Sequence, residues 1–316
     1  MRAGKAKTFW LAFAITLAVL LPLTAALAIY GMVRSRGAEP VEQSRSDVAI
    51  RSPGAENVMN LLVVTAGEEP AFVLVRLDAM EGKINLACLP GQLNADKVPG
   101  GRTLASSYQA AGPARAAQLV EEMLGIRVQR YLAITPKNMG EAFGAVGTAR
   151  VNLTTLMTEG ERAAAGFGGP VQEFTPASAA VFLADQDLET LRMAELRCAV
   201  WEAFLRQNLE LLPNAVPQGL RWVSSTLLTD LNALDLYTLA DTLEFLADRG
   251  GVVEHTPVPA QWESRSGICV LGEDAPQWAA EQFGGAAPAS RQEEWPQTTP
   301  SPTPKGTPPP AMAGGL

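Results

Sequence analysis

The chain has 316 residues and a formal net charge of −8. All 33 acidic residues follow position 38, together with only 20 of the 25 basic residues, so this part of the chain has a formal charge of −13. Proteins that read nucleic acids carry a basic patch or stripe, and this sequence has neither, so a nucleic-acid partner is excluded.

The N-terminus has the pattern of a membrane span. Residues 8–33 contain no charged side chain, and residues 9–29 alone form a helix of roughly 30 Å, the hydrocarbon thickness of a bilayer. Residues 26–28, Ala-Leu-Ala, resemble the cleavage site of a secretory signal peptide. The apolar run is long for a signal peptide, so we predict an uncleaved transmembrane anchor over residues 9–32.

The flanking charges orient this anchor. Three basic residues and the α-amine precede the span and two basic residues follow it closely: Arg2, Lys5 and Lys7, then Arg34 and Arg36. The excess before the span places residues 1–8 in the cytoplasm and the rest of the chain outside it. The predicted location is therefore the cell membrane, crossed once, with the lipid bilayer as the first partner.

The folded part is predicted to begin near Val58. Residues 33–56 are polar and charged without apolar periodicity, which is typical of a stalk. Three short apolar runs then predict strands over residues 60–64, 71–77 and 83–89. The turn between the second and third strands lies at 78–82, where Gly82 can adopt a positive φ.

Helical and strand patterns alternate after this hairpin. Residues 113–124 have apolar positions at helical spacing, with Gly125 as a C-cap. A helix begins at Pro176, and Pro213 and Pro217 are expected to stop the long helix that follows. The remaining predicted strands are 130–135, 150–153 and 267–271, and the remaining predicted helices are 137–146, 188–211, 230–246 and 275–283.

These elements predict an α/β domain over residues 57–285, with a central mixed β-sheet covered by helices on both faces and one transmembrane helix before it. The composition changes after this domain. Residues 286–316 are rich in Pro, Thr, Ala and Gly, a composition that forms no packed core. We predict a disordered tail there.

Cysteine and histidine supply few candidates for chemistry. Cys88, Cys198 and Cys269 lack the short spacings of a zinc site, and buried apolar residues are the favoured interpretation. Outside the cytoplasm, an odd number leaves at least one thiol unpaired. His255 is the sole histidine, which excludes a multi-histidine metal centre; it could act alone as a base, but a solvated histidine at a strand end is favoured.

Several segments resemble the LytR-CpsA-Psr family, also called the cell envelope-related transcriptional attenuator domain. Residues 59–64 resemble its first strand, and residues 77–84 its first hairpin. Residues 108–113 and 119–126, followed by Tyr131-Leu132, form the most similar stretch. The similarity continues through residues 143–147, 174–183 and 271–276 and spans about 57–283 in total. An N-terminal anchor with an extracytoplasmic domain is also the usual layout of the family.

The resemblance implies transfer of an anionic glycopolymer from a polyprenyl pyrophosphate carrier to peptidoglycan. Such chemistry uses arginines around the pyrophosphate, and acidic residues that hold Mg²⁺ or activate the acceptor hydroxyl. This chain departs from the pattern at four sites. The family's Gly-x-Asp, Arg-Ser-Asp-Thr, Ile-Pro-Arg-Asp and Tyr-x-Arg-x-Arg are replaced by residues 65–67, 68–71, 89–92 and 182–186.

A fifth family motif, Asp-x-x-Arg-x-x-Arg-Gln, aligns with the long helix. Arg192 matches its first arginine, but Glu195 occupies the position of the second. Arg197 is five residues from Arg192, about 140° around a helix, so the two cannot share one face and solvated charges are favoured over a phosphate clamp. The weak catalytic candidates are Arg192, Arg197 and Glu69, and the weak ligand-binding candidates are Arg76 and Gln92.

Three functions remain open. The main hypothesis is a divergent family member with a degenerate phosphotransferase site, which binds a polyprenyl-linked glycopolymer, peptidoglycan or a protein partner. The alternative is an active glycopolymer transferase that uses substitute residues, and only this alternative requires Mg²⁺. The third hypothesis is a structural envelope protein that projects its proline-rich tail. No metal site is predicted from the residues alone.

Overall fold

The structure is a computed structural model, and it describes residues 51–184, 186 and 188–284. Within these ranges the chain forms ten strands, most of them short and several at the positions that the apolar runs predict. The strands are β1 (Val58–Thr65), β2 (Ala71–Asp78), β3 (Lys83–Leu89), β4 (Arg130–Ile134), β5 (Ala149–Asn152), β6 (Val171–Phe174), β7 (Leu228–Thr229), β8 (Val252–His255), β9 (Ala260–Glu263) and β10 (Ile268–Leu271).

Eight α-helices lie between and after these strands in the described part of the chain. They are α1 (Leu104–Leu124), α2 (Pro136–Phe143), α3 (Glu159–Ala164), α4 (Pro176–Ala184), α5 (Thr190–Gln207), α6 (Leu212–Trp222), α7 (Ala233–Asp248) and α8 (Ala275–Phe283). The bounds of β3 and α8 are those that the sequence predicts.

Six strands form one mixed sheet in the order β7-β4-β1-β2-β3-β8. Consecutive strands β1, β2 and β3 are antiparallel, whereas β4 lies parallel to β1 and β8 parallel to β3. The pairs β5-β6 and β9-β10 form separate two-stranded sheets. The predicted central mixed sheet is therefore confirmed.

One face of the six-stranded sheet is closely packed, and we call it the filled face. Because side chains alternate along a strand, Leu62, Leu74 and Leu89 all point to this side. They pack in one cluster with Leu119 of α1 and Phe283 of α8, and all five side chains are almost completely buried.

The opposite face, which we call the pocket face, carries the intervening side chains of the same strands. Leu61, Val73 and Leu86 contribute from the central three strands, and helices α4 to α7 cover them. Both faces thus carry helices, as predicted. They differ in how completely the helices fill the space above the sheet.

Helix α1 begins earlier than its pattern predicts. The Thr103 side chain caps it by accepting from the Ser106 N–H, and the helix breaks at Gly112, where φ is 76°. That break, followed by Pro113, hides the first segment from a search for helical periodicity. The predicted end is confirmed, because Gly125 adopts a left-handed conformation and donates its N–H to the Glu121 carbonyl.

The prediction that Pro213 and Pro217 stop a long helix was wrong. Helix α5 ends at Gln207, before either proline. Pro213 lies in the first turn of α6, where a backbone N–H has no partner within the helix, so a proline breaks no helical hydrogen bond there. Pro217 lies inside α6. The two prolines therefore belong to a second helix, which turns back over the pocket face.

Strands β6, β7, β8 and β9 were not predicted, because each has four residues or fewer and no extended apolar run. In the described ranges, no helix is both long and apolar enough to cross a bilayer. The predicted anchor, the tail and all but the last residues of the stalk lie outside the described residues.

Candidate functional site

The pocket face contains a cavity of about 590 Å³. Its body is apolar and lies directly on the central strands, with helices on the other side. The residues that line it come from distant parts of the chain, and they include Leu61, Val63, Val73, Val75, Leu132 and Leu243. The volume lies in the range of roughly 300–1,000 Å³ that is usual for small-molecule sites.

The cavity persists because the helices around it are held apart from the sheet by other contacts. At Gly219 in α6, a Cβ atom would collide with the carbonyl oxygen of Ala142 in α2. This close backbone approach fixes α6 against α2 rather than against the strands. On α4, the small residues Ala179 and Ala180 face the cavity and leave its volume unfilled.

The polar lining residues gather at one end of the cavity. We define the polar end as Thr65, Glu68, Glu69, Gln92, Gln186, Thr190 and Arg197. The strand register explains this grouping. Phe72 pairs with Leu89, so the turn between β1 and β2 lies beside the segment that follows β3. The Ala105 N–H donates to the Gly91 carbonyl at 2.8 Å, which positions that segment.

Arg197 is the cation of the polar end. It is half-buried, and within the described residues it makes no hydrogen bond or ion pair. Burial lowers the pKa of Arg197 below its ordinary value, and the neighbouring Cys88 and Glu69 side chains oppose that shift. An arginine remains protonated near neutral pH even so. The result is an incompletely solvated positive charge next to an apolar cavity, which favours an anionic ligand.

Arg192, the other candidate on α5, turns away from the cavity. Its guanidinium donates to both carboxylate oxygens of Glu161 at 2.9 and 2.8 Å, and to the Leu156 carbonyl at 3.0 Å. Its side-chain hydrogen bonds, together with those from Thr158, lower the pKa of Glu161 from 4.5 to about 2. This pair joins α3 to α5. The separation of Arg192 and Arg197 around the helix is as expected, but neither is an isolated solvated charge.

Arg76 was a predicted ligand-binding residue, and the structure places it on the filled face instead. It donates to the Phe283 carbonyl at 2.7 Å and to Asp78 Oδ2 at 2.7 Å. Asn60 and Asn85, its cross-strand neighbours, donate to carbonyls of the same helix end. This polar row caps α8. Side chains alternate between the two faces along a strand, so Arg76 points to the filled face while Val75 and Leu77 point to the pocket face.

Glu69 and Gln92 do line the polar end, as does Glu68. Both glutamates are exposed and Gln92 is half-buried. They come from the turns at the ends of β1 and β3, and the cavity brings them together with Arg197 from α5. Asp185, which aligns with a variable position of the family's Tyr-x-Arg-x-Arg motif, lies outside the described residues.

A Mg²⁺ ion would find few ligands in the polar end. Among the described residues, no group of three or more His, Cys, Asp or Glu side chains is arranged to hold a metal. Glu68 and Glu69 are the two carboxylates of the described polar end. Mg²⁺ commonly takes one or two carboxylates and completes its shell with phosphate and water oxygens, so these two fit only an ion that a phosphorylated ligand brings with it.

His255 ends strand β8, as expected, but it is paired rather than free. Its Nδ1 contacts the Glu202 carboxylate of α5, and the same carboxylate accepts from Arg206 at 2.7 Å. Beside it lies a second cavity of about 250 Å³, which Cys88 and Cys198 also line. The three cysteines are buried, as predicted, and all three are free thiols in this structure. The approach of Cys88 to Cys198 has no sequence signal, because 109 residues lie between them.

Comparisons with known proteins recover the fold but no close relative. No protein-family model matches the sequence, and no curated protein matches it. Solved structures do match, at low identity. A protein from Eubacterium siraeum described as a transcription regulator gives a TM-score of 0.61 at 16% identity, over 77% of this chain and 98% of that chain.

The chain is also similar to TagT bound to LIIa-WTA, with a TM-score of 0.56 at 13% identity, over 77% of this chain and 98% of that one. Bacillus subtilis TagV gives 0.53 at 10% identity, over 74% and 100%. TagT and TagV are LytR-CpsA-Psr proteins. The described domain therefore has the LytR-CpsA-Psr fold, as the resemblance in the sequence predicted.

Proposed function

We propose that this chain is a divergent, membrane-anchored LytR-CpsA-Psr protein that binds a lipid-linked cell-wall glycopolymer outside the cytoplasm, with a degenerate phosphotransferase site. The observation that carries the proposal is the combination of an apolar cavity of about 590 Å³ with a half-buried cation, Arg197, at its polar end. Among the described residues, no group hydrogen-bonds or ion-pairs with Arg197. This combination suits an amphiphile with an apolar chain and an anionic head.

The apolar body of the cavity supports a lipid chain. Burying hydrocarbon yields about 25 cal/mol per Å², and the cavity walls offer leucine, valine and phenylalanine side chains. An empty apolar cavity also lowers stability, because its lining lacks van der Waals partners on one side. A bound prenyl chain would supply those partners.

The charges at the polar end favour binding over transfer. In the described part of that end, Arg197 supplies one positive charge while Glu68 and Glu69 supply two negative charges. A pyrophosphate leaving group requires several cationic donors in the transition state, and each such donor is worth roughly 10²-fold in rate or more. Arg76 is not available to the cavity, because it bonds to the Phe283 carbonyl on the filled face. Arg192 is paired with Glu161. One phosphate group held by Arg197 fits this balance better than the several contacts that a departing pyrophosphate requires.

The location and the kind of ligand rest on separate support. The predicted anchor and its charge bias support an extracytoplasmic domain. The similarity to TagT, whose solved complexes contain LIIa-WTA and LI-WTA, supports a wall glycopolymer as ligand. Peptidoglycan and a protein partner are further candidates for the acceptor side.

One observation favours the alternative, an active transferase. Glu69 lies close enough to Arg197 to influence its pKa, so a carboxylate and a cation do meet at the polar end. In that case Glu69 would activate the acceptor hydroxyl and Arg197 would stabilise the departing phosphate, with Mg²⁺ held mainly by the ligand. A third possibility is a scaffold that displays the tail, and it predicts no ligand for the cavity.

Binding of a polyprenyl pyrophosphate to the full-length protein in detergent, measured by calorimetry with and without Mg²⁺, tests the proposal. We expect binding that Arg197→Met weakens about 10- to 100-fold, the value of a charge-assisted contact. Arg221→Met is the matched control, since Arg221 is an exposed arginine on α6 that does not line the cavity. Its affinity should equal that of the wild type.

A transfer assay on the same samples separates the hypotheses. Binding without turnover supports the degenerate site. Mg²⁺-dependent turnover that Glu69→Gln abolishes would establish the transferase instead. Failure of the wild-type protein to bind any prenyl phosphate would leave only the scaffold function.

A further inference from the structure

The second cavity brings two thiols together in the core. Cys88, near the end of β3, is 4% exposed, and Cys198, in the middle of α5, is 2% exposed. Both line the cavity of about 250 Å³. Helix α5 packs directly on β3, and the Cys198 thiol lies close enough to Cys88 to influence its pKa.

The third cysteine is kept apart from this pair. Cys269 lies on β10 and packs in the cluster of the filled face, whereas Cys88 and Cys198 pack in the cluster of the pocket face. The central sheet therefore separates Cys269 from the other two. Of the three pairings that three cysteines allow, the fold selects one.

We propose that Cys88 and Cys198 form a disulfide bond when the domain folds in an oxidising environment. The S–H bonds of both thiols break and one S–S bond forms. The two electrons and two protons pass to a disulfide-type oxidant, such as glutathione disulfide, which becomes two thiols. This inference goes beyond the proposed function and depends on it only for the compartment in which the oxidant is met.

The state of the thiols predicts when the bond forms. Burial raises the pKa of Cys88 well above its ordinary value of 9.0, the neighbouring Cys198 thiol adds to the effect, and the positive charge of Arg197 opposes it. Because the thiolate is the attacking species, exchange is slow once the pair is buried. The bond should therefore form during folding, and the folded domain should then protect it from reductants.

The bond would also brace the ligand site. Cys88 lies four residues before Gln92, and Cys198 follows Arg197 directly. Gln92 and Arg197 belong to different walls of the polar end. A covalent link between β3 and α5 would hold these walls at a fixed separation, so that the position of Arg197 depends less on packing around a cavity.

Peptide mapping of the full chain tests the pairing directly. The reduced, unfolded protein is refolded in detergent with a glutathione redox buffer, alkylated and digested with trypsin. Each cysteine falls in its own tryptic peptide: residues 84–97, 198–206 and 266–291. We expect one cross-linked species, which joins 84–97 to 198–206, and an alkylated 266–291. A link that includes 266–291, or three alkylated peptides, would overturn the proposal.

Thiol counts in denaturant give an independent measurement. The refolded wild-type protein should retain one free thiol, Cys269→Ala none and Cys198→Ala two. The melting temperature of the wild-type protein should fall by about 10 °C on prior reduction, since a disulfide that closes a long loop stabilises by restricting the unfolded chain. Cys198→Ala should show no such fall. If that variant fails to fold, the wild-type thiol count and peptide map still decide the question.

Discussion

The two faces of the central sheet carry similar apolar side chains, but one face is closely packed and the other lines a cavity. On the filled face, Leu62, Leu74 and Leu119 are completely buried and α8 is anchored by a polar row across three strands. On the pocket face, equally apolar strands line a cavity of about 590 Å³ beside an arginine without a described partner. The residues of the filled face therefore stabilise the fold through complete packing, whereas those that line the cavity lack packing partners on one side.

The largest expected effect comes from matched leucine truncations on the two faces. Leu119→Ala on the filled face should lower the free energy of unfolding by about 4 kcal/mol, because a new cavity opens in a packed core. Leu243→Ala, in the cavity wall, should cost about 2 kcal/mol, because that side chain already lacks contacts on one side. Urea denaturation measures both values. Equal losses would mean that the two faces are equally packed.

Two arginines give the next largest contrast. Arg76→Met should cost about 3 kcal/mol of unfolding free energy, since it removes two bonds of 2.7 Å and leaves the buried Asp78 carboxylate without its cation. Arg197→Met should instead raise the unfolding free energy by about 1 kcal/mol, because it removes a poorly solvated charge. Thermal denaturation of both variants at the same pH is the measurement. Destabilisation by Arg197→Met would indicate an essential structural contact.

Overpacking should also affect the two faces differently. Ala116→Phe on the filled face should cost about 2 kcal/mol or more, because no space exists around a residue that is completely buried. Ala179→Phe points into the cavity wall and should change stability by less than about 1 kcal/mol, while the ring occupies ligand space. Prenyl phosphate binding should then be lost in Ala179→Phe. Retained affinity there would place the ligand outside this cavity.

The smallest effect concerns pH. Because hydrogen bonds from Arg192 and from Thr158 lower the pKa of Glu161 from 4.5 to about 2, the ionised glutamate stabilises the fold at pH values above its unfolded pKa. That contribution is lost as the pH falls from about 4.5 to about 2. Arg192→Met should therefore reduce stability at pH 7 and differ little from the wild type near pH 2. Urea midpoints at several pH values check this. A difference that does not vary with pH would exclude the ion pair as its cause.

The sequence predicted those elements whose signals are local. Strand β3 and helix α8 have the predicted bounds, and Gly125 ends α1 as its position suggests. The prolines of α6 were misread, because a proline that ends one helix and a proline that begins the next have the same local appearance. The first half of α1 was missed because the break at Gly112 interrupts the periodicity.

The structure places the five candidate site residues in different parts of the domain. Glu69, Gln92 and Arg197 do meet at the polar end, whereas Arg76 and Arg192 serve the filled face and an ion pair between helices. Strand alternation could have placed Arg76 on the side of Phe72 and Leu74. It could not have shown which side holds the cavity.

Local sequence patterns predict the alternation of buried and exposed positions, several turns and caps, and the departures from the charged motifs of the LytR-CpsA-Psr family. These properties depend on residues within a few positions of one another. The packing of distant segments sets which face stays open, leaves Arg197 without an ion-pair partner among the described residues and brings Cys88 near Cys198. Leu61 and Leu243 line one cavity although about 180 residues separate them. Such a volume is set by how helices pack across the sheet, which no local pattern encodes.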